Sequence, residues 1–244
     1  MVVVDAHHHL GPCDHFLVNV EWPEVRSAMD GAKIEKFLLM PFPGNPDPKA
    51  EHDKITKVSD EMPSSVFGIA AVNPIRFGLK ASLEEIERAV TSLNFRCVKI
   101  HTIAWGLFPF SPLSEKIIEK ARDLNVPVMI HTGGSLFADP AHVDQIAPKY
   151  PDVNFILAHM GWVSYAAGAM EVAKRNPNVY VETSWSLGYD IKQAVETLGA
   201  NRVMMGSDLP SNAATEVTKI KSLGLTEDQS RMVLGETAKK IFKL

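Results

Sequence analysis

Eight short apolar runs, each trailed by a longer amphipathic segment, recur through the chain and constrain its fold more than any other feature. They occupy residues 2–9, 37–42, 66–72, 96–101, 126–131, 153–159, 178–183 and 201–207. Runs this short and rich in Val, Ile and Phe are strand-like, and their near-continuous apolar character suits parallel strands covered on both faces. Helix-start signals mark the intervals. Ser82 with Glu85 forms a capping-box pattern, and Thr226 with Gln229 repeats it before a final helix over 226–242. Ser111-Pro112 and Asp139-Pro140 each place a cap before a first-turn proline, leading into 113–124 and 141–149. Less sharply bounded helices are expected near 24–33, 49–60, 164–175 and 190–198, with 212–223 a further candidate. Eight such alternations in 244 residues predict an α/β protein, a (β/α)8 TIM barrel with a C-terminal helix, as a single domain over 1–244. A doubly wound open sheet competes, but its dinucleotide-binding form needs a GxGxxG turn that the sequence lacks.

In a barrel the C-terminal ends of the strands build the active site. Histidines and acids should therefore end strands. His7 and His9 end the first run, His101 the fourth, His131 the fifth and His159 the sixth, while Asp208 follows the eighth. Strand alternation puts Asp5, His7 and His9 on one face and turns His8 away, toward a structural role. Asp5 is then expected one layer below the others, supporting them. Taken alone, the histidine run could be a truncated tag or a polar strand end, a single strand-end His a hydrogen-bonded structural group, and Asp208 a turn cap. Five converging imidazoles with a carboxylate are instead a donor set for a catalytic divalent metal. His15, His52 and His142 lie in loops or helices and are expected to be solvated.

Composition narrows the alternatives. A net charge of −4 leaves no basic footprint for nucleic acid. No apolar run approaches the roughly 20 residues of a membrane span, and no positively charged leader precedes the first strand. Cys13 and Cys97 form no CxxC pair, which suits a reducing cytosol and a cytoplasmic protein. Cys13 is either an inert loop thiol or a pocket residue.

Asp-Ala-His-His-His-Leu-Gly near the start, Met-Ile-His-Thr-Gly at 129–133, Leu-Ala-His-Met-Gly at 157–161 and Gly-Ser-Asp-Leu-Pro at 206–210 resemble, in order, the signatures of the amidohydrolase superfamily. The branch they most resemble is the amidohydrolase-related group that includes aminocarboxymuconate-semialdehyde decarboxylase. The resemblance implies that His7, His9, His131 and Asp208 bind one divalent metal, Zn²⁺ before Mn²⁺ or Fe²⁺. It makes His159 and Asp208 the catalytic pair. In other branches a carboxylated lysine on the fourth strand bridges two metals, which leaves Lys99, His101 and His159 as candidates for a second metal or for the pocket. Otherwise Lys99 is a buried cation paired with Asp5 or Glu182. The chain is short for the branch, and Gly235-Glu236-Thr237-Ala238 replaces the branch's asparagine-containing C-terminal signature, a change that bears on helix docking.

The leading expectation is a metal-dependent hydrolase that turns activated water on a small amide, ester or lactone. The alternative is a non-oxidative decarboxylase of an unsaturated or aromatic carboxylic acid at the same centre, and a non-catalytic metal-binding barrel is a third reading. Trp22, Trp105, Trp162 and Trp185, with Phe108, Phe110 and Phe137, fall in or near the expected βα loops. There they could line a mouth for a planar substrate, or pack loops against each other or against the second subunit of a homodimer. Arg76 could clamp a substrate carboxylate or be an ordinary surface arginine. No phosphate-cradling loop is present, so the partner is a small organic molecule.

Overall fold

A computed structural model describes residues 1–14 and 17–244, so the expectation for His15 lies outside the described residues. Among the described residues nine strands form one sheet: β1 (Val4–Cys13), β2 (Val18–Val20), β3 (Lys36–Pro41), β4 (Val66–Ala71), β5 (Cys97–Ile100), β6 (Val128–His131), β7 (Phe155–Ala158), β8 (Val179–Glu182) and β9 (Val203–Met204). Every one of the eight apolar runs is a strand, and these eight pair in parallel in chain order. The unforeseen strand is β2. It pairs antiparallel with Gly11–Cys13, so β1 runs on past the expected end of the first run at residue 9. The sheet curls so that β1 reaches the segment that follows β9. Ala6 N donates to Met205 O at 3.0 Å, His9 N to Asp208 O at 3.0 Å and Asp208 N to His7 O at 2.7 Å.

Two apolar layers follow from the alternation. Leu39, Val98, Ile130 and Leu157 face the surrounding helices, where Met29, Ile55, Ile86 and Ile117 meet them. Val4, Ala6, Met40, Ile69, Met129 and Ile156 face inward. The inner layer is closed by Ala238, Ile241 and Phe242 of the C-terminal helix Thr237–Phe242. That helix lies beside residues 94–96 and 124–127, which precede β5 and β6, so it covers the end where the strands begin. Gly235 docks it. A Cβ there would meet Val2 O at 2.2 Å, and Thr237 Oγ1 donates to Ala200 O at 3.0 Å.

Strict alternation fails once, and at a telling place. The pairing of β1 with β3 shifts register between Asp5 and His8. Ala6 belongs to the inner layer, and His7 also turns inward, which puts Asp5 on the side of His8. Asp5 therefore does not lie beneath the histidines, as expected. It accepts from His8 Nδ1 at 3.2 Å, from Ser207 N at 2.9 Å and from the Ser207 hydroxyl, clasping the first strand to the segment after the last. His8 keeps its structural role, fully buried in that clasp.

Several helix starts differ from the sequence pattern. Ser82 does not cap: the helix Leu79–Thr91 begins earlier, and Ser82 Oγ donates back to Gly78 O. The stretch expected as a helix over 141–149 forms 3₁₀ turns, Pro140–Gln145 and Ala147–Lys149, although Asp139 does cap the first. Ser111 and the Thr226–Gln229 box cap as expected. His52 is not solvated. It is fully buried, its Nε2 accepting from Ala71 N at 3.1 Å and its Nδ1 donating to Glu85 at 2.7 Å. His142 is half-buried between Phe108 and Phe110. Among the described residues no helix is long and apolar enough to cross a membrane.

Candidate metal centre

Most of the imidazoles at the strand ends are oriented by what one ring nitrogen meets. His7 Nδ1 donates to Glu182 Oε2 at 2.9 Å, and His9 Nδ1 donates to Pro41 O at 3.2 Å. Both rings therefore present a bare Nε2, and both Nε2 atoms lie 3.3 Å from Asp208 Oδ1. Ring centroids 5.3 Å apart for His7 and His9, 4.9 Å for His7 and His159, and 4.8 Å for His131 and His159 gather four imidazoles at one spot. His131 Nε2 is buried and has no partner. A buried ring nitrogen left unsatisfied in this way is costly unless something takes it.

The electrostatics match. Burial lowers His7 and His131 well below the usual histidine range, with neighbouring cationic and imidazole groups adding to it, so both rings are neutral. Burial would raise Asp208, but the close approach of His9 and the nearby His7 and His159 outweigh it and hold the carboxylate well below its usual range. Imidazole nitrogens gathered beside an ionised carboxylate are the donor set a divalent cation takes. His7, His9, His131 and Asp208 thus fit the metal that the motifs imply.

Glu182 was noticed in the sequence only as a partner for Lys99, yet it organises the centre. Its Oε2 accepts from His7 Nδ1, from His159 N at 3.1 Å and from Ser184 Oγ at 2.8 Å, and its Oε1 accepts from Ser184 N. Burial pushes the group's pKa up, while the backbone N–H donors of Ser184 and His159 and the Ser184 hydroxyl favour its ionised form. Although Glu182 lies near His7 and His159, its Oε2 is already saturated. It is an orienting group rather than a ligand. The available signal was an acid at the end of the seventh run. Gly206 makes room for it, since a Cβ there would lie 2.5 Å from Glu182 Oε1 and 2.9 Å from His7 Cβ.

His159 follows from the same chain of bonds. Ser184 Oγ gives its only proton to Glu182, so His159 Nδ1–H must donate to Ser184 Oγ, at 2.8 Å. Its Nε2 is left bare, and burial lowers its pKa to about 4, so the ring is a neutral acceptor beside the ligands. His101 is the opposite case. Its Nδ1 accepts from Ala104 N at 3.2 Å, so in the neutral ring Nε2 carries the proton and cannot bind a metal. It stacks on His131 at 4.2 Å between centroids and supports that ring. Lys99, fully buried, sets Nζ 3.3 Å from His7 Nε2 rather than pairing with Asp5 or Glu182, and burial lowers it to about 8.

The candidate substrate residues divide. Trp185 Nε1 donates to Asp208 Oδ2 at 2.8 Å, and the Trp162 ring lies 6.3 Å from that of His159; both tryptophans are partly exposed. Trp105 is buried and donates to Pro43 O at 3.3 Å, so it is a packing residue and not part of the mouth. Arg76 is exposed and donates to Asn45 O at 3.2 Å, its guanidinium over Phe77. His159, Trp162, Trp185 and Asp208 all hold left-handed backbone, with φ of 65°, 55°, 62° and 70°. Such strain in non-glycine residues gathers where function demands it.

The model of the family described as Amidohydrolase matches residues 4–244. No curated protein gives a significant match. Among solved structures, a TIM-barrel protein from Bordetella bronchiseptica superposes with a TM-score of 0.81 at 15% identity, covering 100% of this chain and 99% of that one. The 2,6-dihydroxybenzoate decarboxylase from Rhizobium gives 0.76 at 16% identity, with 100% and 99% covered. The 5-carboxyvanillate decarboxylase from Novosphingobium aromaticivorans, complexed with manganese and 4-hydroxy-3-methoxy-5-nitrobenzoic acid, gives 0.78 at 17%, with 100% and 96% covered. At these identities the likeness is one of fold.

Proposed function

Because the chain belongs to the amidohydrolase family, we propose that its strand ends form a single divalent-metal centre that decarboxylates an aromatic or unsaturated carboxylic acid. The observation that carries this is the convergence of His7 Nε2, His9 Nε2 and Asp208 Oδ1, beside an unpartnered His131 Nε2 and a neutral His159. We read the curled sheet as a closed (β/α)8 barrel in one domain, supported by the bonds between β1 and residues 205–208. One metal is favoured because His101 presents an N–H and the Glu182 oxygen nearest His7 is saturated. Manganese in the Novosphingobium neighbour favours Mn²⁺ over the Zn²⁺ first expected.

When bound, the metal would hold and polarise the acid's oxygen donors. The chain's own groups would move the proton. Asp208, ionised, accepts it from a substrate O–H and returns it to the carbon that loses its carboxylate. The carbon–carbon pair stays on that carbon and carbon dioxide leaves. His159 Nε2 accepts a hydrogen bond from a substrate hydroxyl and orients the ring, while Trp162 and Trp185 supply flat walls for a planar acid.

Hydrolysis, the first expectation, would use the same groups, but the decarboxylase neighbours lend it less support. A purely structural site would not need the free lone pair of His159. The test is Mn²⁺-loaded protein screened on hydroxylated aromatic acids and on esters and lactones, with carbon dioxide and released acid measured separately. Carbon dioxide from an aromatic acid is expected, and ester or lactone turnover without it would overturn the reading. His159→Asn should retain Mn²⁺ yet lose about 100-fold or more in kcat, whereas His131→Ala should lose the metal.

A further inference from the structure

We propose that Glu216, on the helix Ala213–Ser222, is a positioning residue for Asp208 and acts through Trp185. The inference rests on the metal-centre reading above. Asp208 uses its oxygens unequally: Oδ1 faces His7 and His9, while Oδ2 is held by the Trp185 indole. The indole therefore fixes which oxygen the ligand cluster meets. Trp185 does this from a left-handed backbone, which a non-glycine residue adopts only at a cost.

Glu216 holds that conformation. Its Oε1 accepts from Trp185 N at 2.9 Å, from Asn212 Nδ2 at 3.0 Å and from Lys219 Nζ at 2.7 Å. Asn212 Nδ2 also donates to Ser207 O at 3.0 Å, and Lys219 Nζ also donates to Ser186 O at 2.7 Å. One carboxylate oxygen thus ties down both the loop that carries Trp185 and the residue that precedes Asp208. Its other oxygen is buried with no partner. A carboxylate placed so deep, with half its acceptors idle, is poorly spent on stability alone. Its geometry serves the segment around Asp208.

The test is Mn²⁺ titration of metal-free protein, followed in parallel by thermal melting. Trp185→Phe keeps the ring and loses the donor; Glu216→Ala loses the tether. Each should weaken Mn²⁺ binding about 10-fold, the effect expected of groups that orient a ligand. The double variant should be no weaker than the worse single one, because both act in one line of contacts. Glu216→Gln should stay within about twofold, since its amide oxygen can still accept from Trp185 N. Trp185→Phe binding within about twofold of the parent overturns the proposal, as does a double loss near the product of the singles. So does a fall in melting temperature with no change in affinity. If Glu216→Ala does not fold, Trp185→Phe at its partly exposed position decides the matter. Failure of the parent to bind Mn²⁺ would instead overturn the metal reading.

Discussion

Glu182→Gln removes one charge and exchanges one oxygen for an amide, with almost no change in shape. The carboxylate receives four hydrogen bonds, three at Oε2 and one at Oε1. A glutamine can keep its oxygen on the crowded side only by turning its NH₂ toward Ser184 N, donor against donor. One buried N–H is then orphaned, which costs roughly 1–3 kcal/mol of stability. The bond from His7 Nδ1 also loses its charge assistance, about half its strength. His7 becomes freer to turn its Nε2 from the cluster, and such orienting contacts are worth roughly 10- to 100-fold in metal affinity, or about 1.4–2.7 kcal/mol. Competition between the protein and a chelator for Mn²⁺, with circular dichroism to confirm folding, measures this. Affinity unchanged in a folded variant would refute the orienting role. A loss far above 100-fold would show Glu182 to be a ligand itself.

Three other outcomes are expected. Gly206→Ala drives a methyl into the Glu182 carboxylate at 2.5 Å and should weaken Mn²⁺ binding alongside Glu182→Gln, by the same titration. His52→Ala orphans Ala71 N–H and opens a void beside Phe95, whose ring centroid lies 5.2 Å away. That should cost roughly 3 kcal/mol, lowering Tm by roughly 6–12 °C in a calorimetric scan. Glu85 carries an acid-dependent contribution. Burial would raise its pKa, but hydrogen bonds from His52 and Arg88 outweigh this and lower it from 4.5 to about 2. Its stabilisation is therefore complete above pH 4.5 and is lost as the pH falls through about 2. Allowing for solvent screening, it amounts to roughly 2 kcal/mol. Urea melts of the parent and Glu85→Gln should differ at pH 6 and converge toward pH 2; a constant difference would remove the carboxylate from the account.

The strand order and the ligand candidates were legible because they are local and periodic. Apolar runs announce strands, and a parallel sheet with helical crossovers collects their C-terminal ends at one face whatever the details of packing. That is why His7, His9, His131, His159 and Asp208 could be named from their positions in the runs. His8 was placed correctly as well, since alternation turns it from its two neighbours. Asp5 was misplaced because alternation holds only until a bulge, and nothing in Val-Asp-Ala-His announces the register shift of β1 against β3.

What the tertiary structure alone decided is which nitrogen of His7, His9 and His159 is left bare, and which neighbours orient those rings. His7 takes its tautomer from Glu182, 175 residues away, and His159 from Ser184, 25 away. His101 is turned from ligand to support by a single backbone N–H. His52 looked solvated on a polar helix face, yet it is buried by a strand and a helix that the sequence could not bring to it. The chain's pattern determines which side chains arrive at the strand ends. The state in which they arrive depends on partners that only the closed-up fold brings within hydrogen-bonding reach.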